Sequence, residues 1–199
     1  MKKLLIFIIA VFMIASESTA ADSYLFQLSA GSSSIDASLD AKRYLDSGYL
    51  ITGIGFIDVN NDDEEYTIAK VKLTVGSETL YPGLRCDLGF KGLIGSVEED
   101  PDEGDIGGIG FFGSVAYILS ERISPIPIEI SASVCLAPGA LSMSDLDNYQ
   151  EIKVGIGVYI VDSAAIVLSY QYYDIRMDND PGEWKMKDGV ALIGLELTF

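Results

Sequence analysis

The chain of 199 residues contains no histidine. Imidazole is the usual general base that activates a serine or a water molecule, so its absence removes most hydrolytic mechanisms of that type. Carboxylate pairs remain available for glycosidase-type chemistry. With 30 Asp and Glu, however, chance pairs are inevitable, and no enzyme is expected. Basic residues are scarce, at 13 Lys and Arg for a net charge of −17. A chain this acidic lacks the basic surface that phosphate backbones require, so nucleic acid is excluded as a partner. Proline is low at 6, which suits long uninterrupted strands. After the first residues, no apolar run reaches the roughly 20 residues of a membrane-spanning helix. Any membrane passage must therefore use a closed barrel, because an open sheet leaves backbone groups unpaired in lipid.

What is present begins with an export signal. Lys2 and Lys3 precede an apolar run over residues 4–15, and Ser18 and Ala20 supply the small residues a signal peptidase reads. Residues 1–20 are expected to be the signal peptide and 21–199 the mature domain, starting at Ala21. Losing two lysines and one glutamate with the signal makes the mature chain one unit more acidic.

Beyond the signal the pattern has period 2, with polar turns between apolar stretches. It predicts strands over residues 23–31, 34–45, 48–59, 65–76, 84–97, 106–119, 126–137, 147–161, 163–176 and 187–199. Eight strands is the alternative count. Ile128, Ile130, Val134 and Leu136 share one face, while Glu129, Ser131 and Ser133 take the other. Val154, Ile156 and Val158 likewise oppose Lys153, Gly155 and Gly157. The strand at 48–59 is apolar on both faces and its orientation stays open.

Alternation alone does not say which face points inward: a soluble lipocalin-like barrel hides the apolar face and a membrane barrel exposes it. Four features favour the membrane arrangement. The last strand alternates up to an aromatic, Phe199, like the signal read by the outer-membrane assembly machinery. Glycines sit on the polar face, at Gly53, Gly55, Gly108, Gly110, Gly155 and Gly157, where small residues let a narrow lumen fill. Tyr24, Tyr49, Tyr66, Tyr117, Tyr159, Tyr170 and Tyr172 lie near strand ends, as interface girdles require. Finally, the connections alternate. Those at 32–34, 60–64, 98–105, 138–146 and 177–186 are longer or more acidic than those at 46–47, 77–83, 120–125 and 162. This is the asymmetry between outer loops and periplasmic turns, and an even strand count puts both termini in the periplasm. The expected fold is thus all-β, an antiparallel up-and-down transmembrane barrel.

Cys86 and Cys135 fall near opposite rims and on opposite faces, too far apart to bridge, so two free thiols are expected.

From residue 84 onward the sequence also resembles a known family. The stretch Gly89-Phe90-Lys91-Gly92-Leu93, the acidic Asp102-Glu103-Gly104, and Ala137-Pro138-Gly139-Ala140-Leu141-Ser142 running into Asp145-Leu146-Asp147-Asn148-Tyr149-Gln150-Glu151 resemble the YfaZ family. Tyr170-Gln171-Tyr172-Tyr173-Asp174-Ile175 and Phe199 fit it as well. The resemblance covers residues 84–199, and the first eighty or so match only in layout. It implies an outer-membrane β-barrel of a Gram-negative bacterium and brings no activity with it.

Three groups of residues are candidates for function. The polar-face charges Lys70, Lys72, Arg85, Asp87, Lys91, Glu129, Glu151, Lys153 and Glu196 are expected to face the lumen. There they either pair into a network that plugs the barrel or line a narrow pore. The acidic loops contain Asp62, Asp63, Glu64, Asp100, Asp102, Asp105, Asp178, Asp180 and Glu183. These keep an exposed rim soluble, or weakly bind Ca²⁺ or Mg²⁺ that bridges to phosphates of lipopolysaccharide. Trp184 is expected to anchor the last outer loop at the interface. The Gly107-Gly108-Ile109-Gly110 run is no phosphate loop, because a strand follows it. No other cofactor is expected. The sequence reading is a structural or surface-interaction barrel, with a narrow pore and a soluble lipocalin-like periplasmic carrier as alternatives.

Overall fold

A computed structural model describes residues 23–199 apart from 62–63, 79–80, 100–101, 120–123, 125 and 180–181. The expected signal peptide, Asp62, Asp63, Asp100 and Asp180 lie outside the described residues.

The elements are β1 (Ser23–Ala30), β2 (Ser34–Leu45), β3 (Gly48–Asn60), β4 (Glu65–Ser77), β5 (Leu84–Glu99), β6 (Asp102–Ile118), β7 (Ile128–Ala137), a 3₁₀ turn (Gly139–Leu141), β8 (Ser142–Ser144), β9 (Leu146–Val161), β10 (Ala164–Asn179) and β11 (Gly182–Thr198). Each barrel strand pairs antiparallel with its neighbour, and β1 closes the ring on β11. The short β8 adds no eleventh stave. β7 pairs with residues 111–118 of β6, and β8 resumes the same edge at residues 106–108. The 3₁₀ turn between them is an outward excursion, so the barrel has ten staves and the expected loop at 138–146 is largely an interrupted strand.

The apolar face points outward. Ile130, Val154, Leu168 and Leu195 are each between 46% and 58% exposed, and Gln171 and Glu151 are buried inside. A soluble barrel would show the opposite arrangement. Tyr24 donates its backbone N–H to the Phe199 carbonyl, so the start of β1 and Phe199 lie at the barrel end that carries the two-residue turns at 46–47 and 162–163.

Strand length changes the picture drawn from sequence. A bilayer needs roughly 9–11 tilted residues per strand, whereas β5, β6, β9, β10 and β11 have 16 or 17. The outward apolar series on β11 runs only from Ala191 to Phe199. At about 3.3 Å per residue and a tilt of about 40°, it spans about 20 Å, close to the height of a hydrocarbon band. Above Ala191 the outward residues are Lys187, Lys185 and Glu183, and the inward ones are Val190, Asp188, Met186 and Trp184, with Asp188 accepting from the Tyr66 hydroxyl. The two faces exchange chemistry at one level of the strand. The other long strands do the same: Glu98 and Glu103 face out on β5 and β6, and Val97 and Ile106 face in. The barrel therefore continues beyond the hydrocarbon as a water-facing crown with an ordinary apolar core.

Two expected loops are corrected by this. Residues 98–105 and 177–186 were read as loops because of their charge. Glu98, Asp102, Asp105, Asp178 and Glu183 lie instead within strands. Outside the bilayer a charged outer face costs nothing, so charge does not end a strand there. The unoriented strand at 48–59 is explained as well. Its inward Ile57 and Val59 enter the crown core, while its outward Leu50, Ile54 and Phe56 face lipid.

Candidate functional site: a lumen in two storeys

The lumen is divided across its height. At the loop end, buried apolar side chains of the described residues pack against one another across it. Ile57, Tyr66, Ile68, Leu93, Tyr149, Tyr173, Ile175, Met177, Met186 and Leu192 are each no more than 1% exposed and belong to one cluster. Tyr66 and Tyr173 meet edge to face at 5.3 Å between ring centres. The Tyr66 hydroxyl donates to Asp188 at 2.8 Å, which satisfies the plug's polar atom at its rim. Trp184 packs against this cluster, so it belongs to the plug and is no interface anchor. Tyr49, Tyr66 and Tyr159 also turn inward, which leaves Tyr24, Tyr117, Tyr170 and Tyr172 for the outer surface.

Beneath the plug the lumen is polar, and most of the expected charge network forms. Glu151 is its centre. Lys70 and Lys91 each donate to one of its carboxylate oxygens at 3.0 Å, and the Tyr149 hydroxyl donates at 2.8 Å. Lys72 pairs with Asp40 at 2.6 Å, and Arg85 with Glu129 at 2.7 Å. Gln171 donates to Asp36 at 2.8 Å, and Ser114 to Asp87 at 2.7 Å. The rings also take part, with Lys91 standing over Phe112 at 4.6 Å from the ring centre. Gly53 leaves room here: a Cβ at this position would meet the Asp40 carboxylate and force it to shift beside Lys72. At the turn end, Lys42 pairs with Glu78 at 2.7 Å and covers the Tyr49 ring at 3.8 Å.

The network departs from expectation at three members, the first being Asp87, which accepts from Ser114 but joins no ion pair among the described residues. Lys153 and Glu196 face the lumen, yet neither makes an ion pair among the described residues, although both line the polar cavity. That cavity has a volume of about 230 Å³. Gln171, Tyr149 and Tyr173, which knit the network to the plug, enter the sequence reading only through the family resemblance and not as lumen residues. Their inward parity next to known lumen residues was the available signal.

The acidic candidates do not form a centre. Asp102 lies opposite Glu99 in the β5–β6 ladder, and Asp105 accepts no cluster of partners but donates its backbone N–H to Asp145. Among the described residues, no three acidic or cysteine side chains gather as a metal site would require. Cys86 and Cys135 are free thiols, and Cys135 is fully buried beside Gly110.

No family model matches the chain, and no curated protein matches it. Among solved structures it is similar to the NanC porin, at 9% identity and a TM-score of 0.40, over 88% of this chain and 98% of that one. It is also similar to Neisserial surface protein A, at 12% identity and a TM-score of 0.33, over 89% and 94%. OmpT, an outer membrane protein of Vibrio cholerae, follows at 10% identity and a TM-score of 0.25, over 90% and 97%. Likenesses this distant do not bear on function.

Proposed function

We propose that the chain is an exported outer-membrane barrel of a Gram-negative bacterium that does not conduct, does not catalyse, and presents a rigid acidic crown at the cell surface. The observation that carries this reading is the apolar plug, whose buried cluster in the loop-side part of the lumen is nowhere more than 8% exposed. A pore needs a continuous wet path, so the plug disfavours the narrow-pore alternative. The exposed belt of Ile130, Val154 and Leu195 disfavours a soluble carrier. Export by a signal cleaved before Ala21, delivery by the outer-membrane assembly machinery, periplasmic termini and membership of the YfaZ family belong to the same reading. They are supported by the sequence patterns over 1–20 and 84–199.

The partner we propose for the crown is lipopolysaccharide. Glu65, Glu98 and Glu103 stand opposite one another across three adjacent strands and all face outward. Like charges in register repel. Ca²⁺ or Mg²⁺ shared with neighbouring phosphates relieves that repulsion without a protein cage. Planar-bilayer recording on the purified protein tests the sealed lumen: no unitary steps are expected, and steady ohmic channels overturn the reading. Crown ordering in lipopolysaccharide-containing vesicles should respond to millimolar Ca²⁺, and a flat titration removes the cation bridge.

A further inference from the structure

The polar storey is a dead-end chamber, and its charges are sorted by depth. Glu129, Glu196, Asp87 and Asp40 lie on the turn-side parts of their strands, accompanied by Arg85 and Lys72, so the mouth is net acidic. Deeper, against the plug, Lys70, Lys91 and Lys153 outnumber Asp36 and Glu151, so the floor is net basic. Exposure falls in the same direction. The side chain of Arg85 is 32% exposed and that of Lys72 is 21%, against 10% for Lys70 and Lys91 and 4% for Glu151. The chamber therefore opens at the turn end, which is the periplasmic end in the function proposed above.

Four chamber charges make no ion pair among the described residues: Asp36 and Asp87 accept hydrogen bonds from Gln171 and Ser114, whereas Lys153 and Glu196 have neither kind of partner and sit one on each level. Lys153 is at the floor, in register between Ser133 and Gln171, and lines the cavity together with Asp36 and Glu151. Glu196 is at the mouth beside Glu129, in register with Gln27. An enclosed ammonium and an enclosed carboxylate without partners are costly, because a low-dielectric wall penalises each charge. Separate ions would compensate both, at the expense of immobilising two particles. One molecule carrying both charges immobilises only one. A volume of about 230 Å³ holds about seven water-sized heavy atoms, given about 30 Å³ per water.

We propose that this chamber is a binding site for a small zwitterion, an amino-carboxylate that enters from the turn end with its carboxylate toward Lys153 and its ammonium toward Glu196. The serine hydroxyls of Ser131 and Ser133 flank the carboxylate position, and both line the cavity. The site needs the plug as its floor but not the absence of enzymatic or surface roles. Catalysis or a different surface partner would refute the function proposed above without touching this binding assay, whereas a conducting barrel would remove the floor that both need.

The test uses the full mature chain in detergent micelles, with 4-aminobutyrate as the probe and acetate and propylammonium as its separate halves. Saturation-transfer NMR and titration should show the zwitterion binding about tenfold or more tightly than either half, as expected for adding one charged hydrogen-bonded contact. K153M and E196Q should each weaken it about tenfold or more, and K153R should retain binding. The proposal is overturned by no transfer to 4-aminobutyrate, glycine or β-alanine with the wild-type chain, which marks a chamber holding water alone. It is equally overturned if acetate binds as tightly as the zwitterion, or if both charge-removing variants leave binding unchanged. Heat-modifiable gel migration reports folding of each variant. Should either variant fail to fold, the wild-type comparison of zwitterion with halves decides.

Discussion

Glu151 shows how much a single lumen charge controls. It accepts from Lys70, Lys91 and Tyr149, and its side chain is only 4% exposed. Two ammonium groups depend on its charge, so Glu151→Gln strands both in an enclosed space. Breaking a buried pair by removing one partner costs about 3–5 kcal/mol, and urea unfolding in lipid vesicles should show a loss of that size. Replacing Glu151, Lys70 and Lys91 together by methionine should recover most of it, because no unpaired charge then remains. A triple variant as unstable as the single one would mean that the loss comes from packing rather than from stranded charge.

At the level of the strand, the decisive feature is the exchange of faces along β11. Ile193 lies near the middle of the apolar belt, whereas Lys187 and Lys185 lie on the same outward face above it. Ile193→Lys should therefore destabilise the barrel in vesicles by about 2–4 kcal/mol, while Lys187→Glu should change stability by less than about 0.5 kcal/mol. Equal effects at the two positions would place the crown inside the bilayer. This exchange also explains what was legible in the sequence. Strand order, the inverted faces of β4, β7 and β9, and the lumen position of Glu129 and Lys70 all follow from simple alternation. The crown does not follow from alternation, because the outward face changes from apolar to charged partway along each long strand while parity runs on through Glu98, Asp105 and Glu183. Trp184 was misplaced for the same reason. The free state of Lys153 and Glu196 was not legible either, since it depends on distances across the lumen that no single strand encodes.

For the molecule as a whole, the claim is that a membrane barrel and a water-facing barrel share one set of strands. The chain has a single tryptophan, Trp184. It lies seven residues above the start of the apolar belt on β11, facing the plug. At about 3.3 Å per residue and a tilt of about 40°, that places the indole about 18 Å beyond the hydrocarbon edge. Its emission then reports the crown alone. In vesicles whose acyl chains are brominated, Trp184 should keep its intensity, because the quencher never reaches it. An interface anchor would sit among the headgroups and lose most of its emission. The plug predicts a second response from the same fluorophore. Leu192→Ala and Met177→Ala remove apolar volume from a filled core, each costing about 2–5 kcal/mol. Both should loosen the crown and shift Trp184 emission to the red while the belt below stays folded, as judged by heat-modifiable migration. If the barrel instead melts as one unit with the emission shift, the two storeys are a single cooperative structure, and the crown has no stability of its own.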